Sequence, residues 1–264
     1  MNKGQNIIHE SRIKRTVEYA ENSKQINILD QRFYRFNDEY YPSVSTILNY
    51  FPKGKFFEDW IKANGFNSEI IAAKAAEEGK QVHDAAERFI NGEEIEWLDQ
   101  NGTAKYSLDV WRMILKFADF WNRYKPKVIS VEYHLFSPKY KYAGTADLIV
   151  EIENEMWLLD IKTSNSLHTT YDLQTAAYAS AWNETHDVPI TKTGILWLKA
   201  ATRTDGKNGV MQSKGWQVKI IDNIEKNLET FLKIQDIYKL ENPNDKPIHK
   251  QYPTSIKLEI NEKM

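Results

Sequence analysis

Residues 142–163 read YAGTADLIVEIENEMWLLDIKT, and this stretch decides the fold. Two runs rich in β-branched and aromatic residues, Tyr142 to Glu153 and Met156 to Thr163, part at Asn154-Glu155. Such runs broken by a short polar dipeptide predict antiparallel strands joined by a tight turn. Upstream, Lys127 to Ser137 has the same character and stops at Pro138-Lys139, which adds a first strand and completes a three-strand meander. Several polar residues sit where a buried strand has little use for them. Asp160 and Lys162 close the apolar run WLL two residues apart, so an extended strand aims both the same way. Each is costly to desolvate without a partner. Asp147 and Glu132 place further carboxylates on the two preceding strands. A divalent cation shared by Asp147 and Asp160 would neutralise them, and Lys162 beside it could hold or activate a water. Taken alone, Asp-x-Lys reads first as a strand-end salt bridge among surface residues.

Working outward, Tyr171 to Glu184 repeats small and apolar residues at helical spacing. Strands are predicted at Thr193 to Lys199 and Trp216 to Ile221 around the turn-rich TDGKNG, and an amphipathic helix at Ile224 to Leu240. On the N-terminal side, residues 26–41 alternate around an Asp30-Gln31-Arg32 break and predict a small hairpin ended by Pro42. Ser43 and Ser45 offer N-caps for a short helix at 46–50, and helices follow at 56–64, 68–90 and 108–124. The order predicts an α/β (α+β) fold, a mixed central sheet flanked by helices with an N-terminal helical layer. All of 1–264 reads as one domain: a hairpin or extension (1–41), the helical layer (42–125), an α/β core (126–240) and a weakly patterned tail (241–264).

Composition bounds the chemistry. With 264 residues, 41% hydrophobic and 27% charged, the chain can bury a full core, which excludes a disordered or fibrous protein. The absence of cysteine excludes disulfides, a thiol nucleophile, zinc-thiolate sites and iron-sulfur clusters, so any metal must sit on oxygen or imidazole. No apolar run is long enough to span a membrane and the N-terminus lacks a signal-peptide pattern, so no membrane partner and a cytosolic location are expected. A net charge of −2 does not by itself suggest nucleic acid. The local distribution is uneven: 68–100 carries nine acidic against three basic residues, whereas 123–142 carries five basic against one acidic and 191–219 six against one. Basic stretches flanking a carboxylate cluster suit an enzyme acting on a polyanion, although such blocks are commonly only solvated faces.

His83 follows Gly79 by one helical turn and precedes Glu87 by another. A glycine inside a good helix costs about 1 kcal/mol relative to alanine, so close approach of another chain segment or a ligand is expected at Gly79. Gln174 and Tyr178 share one helix face. Trp97, Trp111, Tyr140 and Tyr142 could stack on bases, with core packing the favoured role.

In order, Gly79-x-x-x-His83, Glu132, Gly144-x-x-Asp147, Asp160-x-Lys162 and Gln174-x-x-x-Tyr178 resemble the motif series of RecB-type nucleases in the PD-(D/E)XK superfamily. Pro42-Ser-Val-Ser-Thr-Ile-Leu48, Asp160-Ile-Lys-Thr-Ser164 and Leu173-Gln-Thr-Ala-Ala-Tyr178 extend the likeness toward the mitochondrial genome maintenance exonuclease and its phage and bacterial relatives. The resemblance covers roughly residues 41–200. It implies a Mg²⁺- or Mn²⁺-dependent DNA exonuclease acting on single strands or ends in replication, recombination or repair, with other proteins of those processes as partners. An endonuclease or nickase, or an inactive DNA-binding relative, are the alternatives. By resemblance His83, Asp147, Asp160 and the Ile161 carbonyl would hold the metal, with Glu132 near a second one. Lys162 would be the catalytic lysine, Gln174 and Tyr178 would orient it or a phosphate, and Ser43, Ser45, Thr163 and Tyr178 would touch substrate. Asp160 stands where many members have Glu. The family's four-cysteine iron-sulfur variant is excluded here.

Overall fold

The computed structural model describes residues 12–14, 16–20, 25–27, 32–36, 39–199, 215–244, 246 and 248–252. Its centre is a five-stranded mixed sheet of β6 (Lys127–Ser137), β7 (Tyr142–Ile152), β8 (Glu155–Lys162), β9 (Lys192–Trp197) and β10 (Gln217–Ile221), in the order β10-β9-β8-β7-β6. The predicted meander is present: β6–β7 and β7–β8 pair antiparallel. β9 then joins β8 in parallel, a pairing that requires a crossover, and α5 (Thr169–Thr185) supplies it. Glu153 and Asn154, at φ 53° and 62°, form the two-residue β7–β8 turn; both are left-handed, as a tight hairpin turn demands.

Apolar residues leave the sheet in both directions. Ile149 of β7 and Leu158 of β8 join one core with Leu173, Ala177, Tyr178 and Ala181 of α5, Val44 and Ile47 of α1 (Val44–Leu48), and Phe231, Ile234 and Tyr238 of α6 (Ile224–Glu241). Leu148, Val150, Leu159 and Ile161 enter the other, against Val82, Ala85 and Ala86 of α3 (Asn67–Ile90) and Val110, Ile114, Phe117 and Phe120 of α4 (Leu108–Tyr124). The sheet is thus covered on both faces, which is why β7 and β8 read as near-continuous apolar runs. α5 is buried on several sides, at Leu173, Ala176, Ala177, Ala179 and Ala181, because it lies between sheet and α6, and its alanines allow that close packing. α4 starts at Ser107, whose side chain accepts from Val110 N (3.3 Å), and ends at left-handed Lys125 ahead of Pro126.

The N-terminal region departs from expectation. The hairpin is β4 (Arg32–Phe36) with β5 (Glu39–Pro42), paired up to Phe36–Glu39, so the predicted break at Asp30-Gln31-Arg32 precedes the hairpin instead of dividing it. β1 (Arg12–Lys14) extends this sheet beside β4, and β3 (Gln25–Asn27) pairs instead with β2 (Thr16–Ala20). The tail, read as weakly patterned, contributes β11 (Ile248–Tyr252), parallel to β2. The short helix starts two residues earlier than predicted. Ser43 alone caps it, accepting from Thr46 N at 3.0 Å, while Ser45 lies inside the helix and is exposed. α2 (Gly54–Asn64) has no buried residue. The TDGKNG stretch lies outside the described residues. Among the described residues no helix is long and apolar enough to cross a membrane.

Candidate metal-dependent active site

The β7–β8 register runs from Ile152–Glu155 to Leu148–Leu159. Beyond it the Asp147 side chain takes over, its Oδ2 accepting from Ile161 N at 2.7 Å. The strands therefore part where the carboxylates stand. α3 brings His83 to this opening on the buried Val82, Ala85 and Ala86 face. Its Nδ1 is 3.6 Å from Glu132 Oε1 and 3.6 Å from Asp147 Oδ1, and Nε2 donates to the Ile161 carbonyl at 3.2 Å. One ligand atom each from His83, Glu132 and Asp147 lies within 4.8 Å of the other two. Burial works to lower the His83 pKa, but Asp147 and then Glu132 outweigh it and raise it to about 9. The expected close approach at Gly79 is real: a Cβ there would lie 3.1 Å from Thr163 Oγ1, so glycine lets α3 sit against the end of β8.

On the other side of β8, Lys162 Nζ meets Asp160 Oδ2 at 2.6 Å, as the two-residue spacing predicts. Gln174 of α5 fixes the pair. Its Oε1 accepts from Lys162 Nζ (3.3 Å) while Nε2 lies 3.2 Å from Asp160 Oδ1 and 3.1 Å from Tyr178 Oη. Burial, ahead of all else, raises the Asp160 pKa to about 6; Lys162 opposes the shift and Asp147 adds to it. Desolvation would lower Lys162, yet Asp160 and Asp147 hold its pKa above the ordinary value, so it stays an ammonium.

Of the residues expected from sequence, His83, Glu132 and Asp147 converge as one potential ligand group, with the Ile161 carbonyl against the imidazole. Asp160, expected as a ligand, is engaged by Lys162 and Gln174, while Glu132, assigned to a second metal, stands inside the group. Imidazole, carboxylate and carbonyl donors with no sulfur fit a hard or borderline divalent cation, and the crowded carboxylates give it charge to offset. Ser43 is 2% exposed and spends its hydroxyl on the α1 cap, whereas Ser45 faces a cleft shared with Gln174.

Sequence reasoning missed Tyr171, whose ring lies 4.6 Å from Lys162 Nζ; its place one turn before Gln174 was the available signal. It also missed Thr145, which joins Tyr34 (2.8 Å) and His134 (3.0 Å). Among the proposed base-stacking aromatics, Tyr142 is fully buried and donates to Ala177 O, which excludes that role. Trp97 stacks on Trp111 at 6.2 Å and Tyr140 on Tyr142 at 6.3 Å, in line with packing. Much of the basic excess is locally neutralised: Arg123 pairs with Asp119, Lys127 with Glu151, Lys141 with Glu39, Lys192 with Glu155 and Lys219 with Asp172.

A mixed sheet whose parting strands carry acidic residues and a lysine, faced by a helical histidine, offers a group of side chains that could hold a metal ion. The chain belongs to the PD-(D/E)XK nuclease superfamily, whose family model matches residues 63–249. Its members use divalent metals. No curated protein matches the chain. Among solved structures, the crystal structure of a protein from Eubacterium rectale described as "Putative exonuclease" is similar: 15% identical, covering 66% of this chain and 70% of that one, with a TM-score of 0.40.

Proposed function

We propose that the protein is a Mg²⁺- or Mn²⁺-dependent deoxyribonuclease, acting as an exonuclease on single strands or ends within one nuclease domain. The observation that carries the reading is the convergence of His83, Glu132 and Asp147 within 4.8 Å, beside a lysine held by Asp160 and Gln174. The cation, when bound, offsets charge on the phosphate and lowers the pKa of a water. His83, Glu132, Asp147 and the Ile161 carbonyl would hold it, with Asp160 bordering it through Lys162. The Lys162 ammonium, fixed in direction by Asp160 and Gln174, orients the attacking water. That water gives up one proton to the surrounding solvent as its oxygen forms the new bond to phosphorus and the P–O bond to the leaving group breaks, and the leaving oxygen takes a proton from solvent. Tyr178 steadies Gln174. Thr163, beside Gly79, lies within reach of a phosphate at the end of β8, as does Ser45 across the cleft. The motif likeness to the mitochondrial genome maintenance exonuclease supports the exonuclease assignment and a role in replication, recombination or repair of DNA in a bacterial or phage-infected cytosol.

Incubation with end-labelled linear and covalently closed circular single strands, in Mg²⁺, Mn²⁺ or EDTA, tests the reading. Linear strands should be degraded in either metal and closed circles spared. Cleavage of circles moves the assignment to an endonuclease, and metal-independent cleavage refutes it.

A further inference from the structure

Beside the lysine edge of the site opens a cleft of about 470 Å³, of which the chemistry above uses only Ser45 and Gln174. One wall comes from α1, the following turn and α2, through Ser45, Leu48, Asn49, Phe51, Pro52, Lys53 and Phe57. The first turns of α5 give the other, from His168 to Tyr171, and Gln174 joins both to the catalytic pair. Tyr171 ties the two regions together, since its ring lines the cleft and also lies under Lys162 Nζ at 4.6 Å.

The lining has a consistent chemistry. It presents the rings of Phe51, Phe57, His168 and Tyr171, the hydroxyls of Ser45, Thr169 and Thr170, and one ammonium, Lys53, held 4.8 Å over the Phe57 ring. None of the lining residues is acidic, whereas the metal side of the site carries Glu132 and Asp147. An anionic chain crossing the centre therefore meets repulsion toward the carboxylates and none on this side. Flat apolar faces beside a cation and hydroxyls match the two halves of a nucleotide: the base stacks, the phosphate pairs. The volume lies in the range of sites for a single small ligand, roughly 300–1,000 Å³. That size suits one nucleotide, unpaired so that its base can enter.

We infer that this cleft binds the unpaired nucleotide next to the scissile phosphate, its base against Phe57 and Phe51 and its phosphate toward Lys53. The inference rests on the nuclease reading for the location of that phosphate. Phe57 is 37% exposed on a helix with no buried residue and its ring stacks on Trp60 of the same helix, so Phe57→Ala removes no core packing.

Two measurements separate the cleft from the reaction. The first is binding of single-stranded oligonucleotides carrying one 2-aminopurine, in EDTA, followed by its fluorescence. Wild type should quench the probe, and Phe57→Ala should weaken binding roughly tenfold. The second is steady-state cleavage of strands with one abasic residue placed in turn at each position. One position should raise KM about tenfold in wild type and add little in Phe57→Ala, as for two changes that remove the same contact. Unaltered binding by Phe57→Ala overturns the cleft assignment whether or not the protein cleaves, and equal KM at every abasic position overturns it where cleavage occurs. Quenching without metal-dependent cleavage keeps the cleft and refutes the nuclease reading instead.

Discussion

Gly144 stands where the Tyr178 ring passes: a Cβ on Gly144 would lie 2.3 Å from Tyr178 Cε1, closer than atoms approach. The glycine in the Gly144-x-x-Asp147 motif thus serves α5 rather than β7. It lets the tyrosine cross the strand and hold Gln174 at 3.1 Å, and Gln174 in turn bonds Lys162 and Asp160. Gly144→Ala should cost roughly 1–3 kcal/mol of stability by overpacking and slow turnover by displacing Gln174. Urea unfolding and single-turnover cleavage read the two effects. Combining it with Tyr178→Ala should remove most of the added penalty, and strict additivity would show that the ring is not what the methyl strikes.

Lys162→Met asks whether the lysine also supports the fold. Asp160 is 1% exposed, and Lys162 is its counter-ion at 2.6 Å. Loss of one partner of a buried pair costs roughly 3–5 kcal/mol. Unfolding in EDTA should show a loss approaching that range, with turnover reduced by orders of magnitude. Full stability without activity would confine Lys162 to chemistry.

Asp147→Asn should have the opposite effect on stability. Asp147 is 9% exposed, and burial raises its pKa even though His83 and Lys162 oppose the shift, so its ionised form costs the folded state. Asn can still accept from Ile161 N while removing one charge. In EDTA the variant should gain about 1 kcal/mol. In Mn²⁺ the wild type should gain thermal stability that the variant lacks. An equal Mn²⁺ shift in both proteins would remove Asp147 from the ligand set.

The core of this site was legible because strand period and turn chemistry are local. The Asp160–Lys162 contact follows from their spacing, and α4, bounded by Ser107 and Pro126, from its caps. What failed was long-range. β3 finds its partner in β2 and β11 also in β2, a parallel pairing of chain ends that no short window encodes. Ser45 was misjudged as a cap because two serines two residues apart offer the same side chain; the Ser43–Ala143 bridge decides between them. The sharing of His83 between Glu132 and Asp147 depends on how α3 lies against the sheet, which periodicity does not fix.

The stack of His186 on Trp182, 3.5 Å between ring centroids, predicts a pH effect. Burial, its largest influence, lowers the His186 pKa below 6.5. The folded state therefore resists protonation that the unfolded chain accepts, and the stack's contribution is complete above pH 6.5 and declines as pH falls below it. Wild type should lose more stability than His186→Gln between pH 7.5 and 5.5, measured by urea midpoints. Parallel curves would mean that the imidazole titrates normally.

Glu132 tests whether the site carries backbone strain. It lies in β6 between the Val131–Leu148 and Tyr133–Ala146 pairs, yet its φ is +47°, in the left-handed region that suits glycine. That twist turns its carboxylate to His83 Nδ1 at 3.6 Å instead of continuing the pleat. An L-residue held there costs roughly 1–2 kcal/mol, and such strain gathers at functional sites. Glu132→Gly and Glu132→Ala both remove the carboxylate, so their difference isolates the backbone. Glycine is freer in the unfolded chain, which subtracts part of its advantage. The glycine variant should remain the more stable by about 1 kcal/mol in urea unfolding, while both lose activity to a similar extent. If alanine proves equal or better, the left-handed turn at Glu132 carries no strain, and its geometry must be set by its neighbours in the β6–β7 ladder rather than held against them.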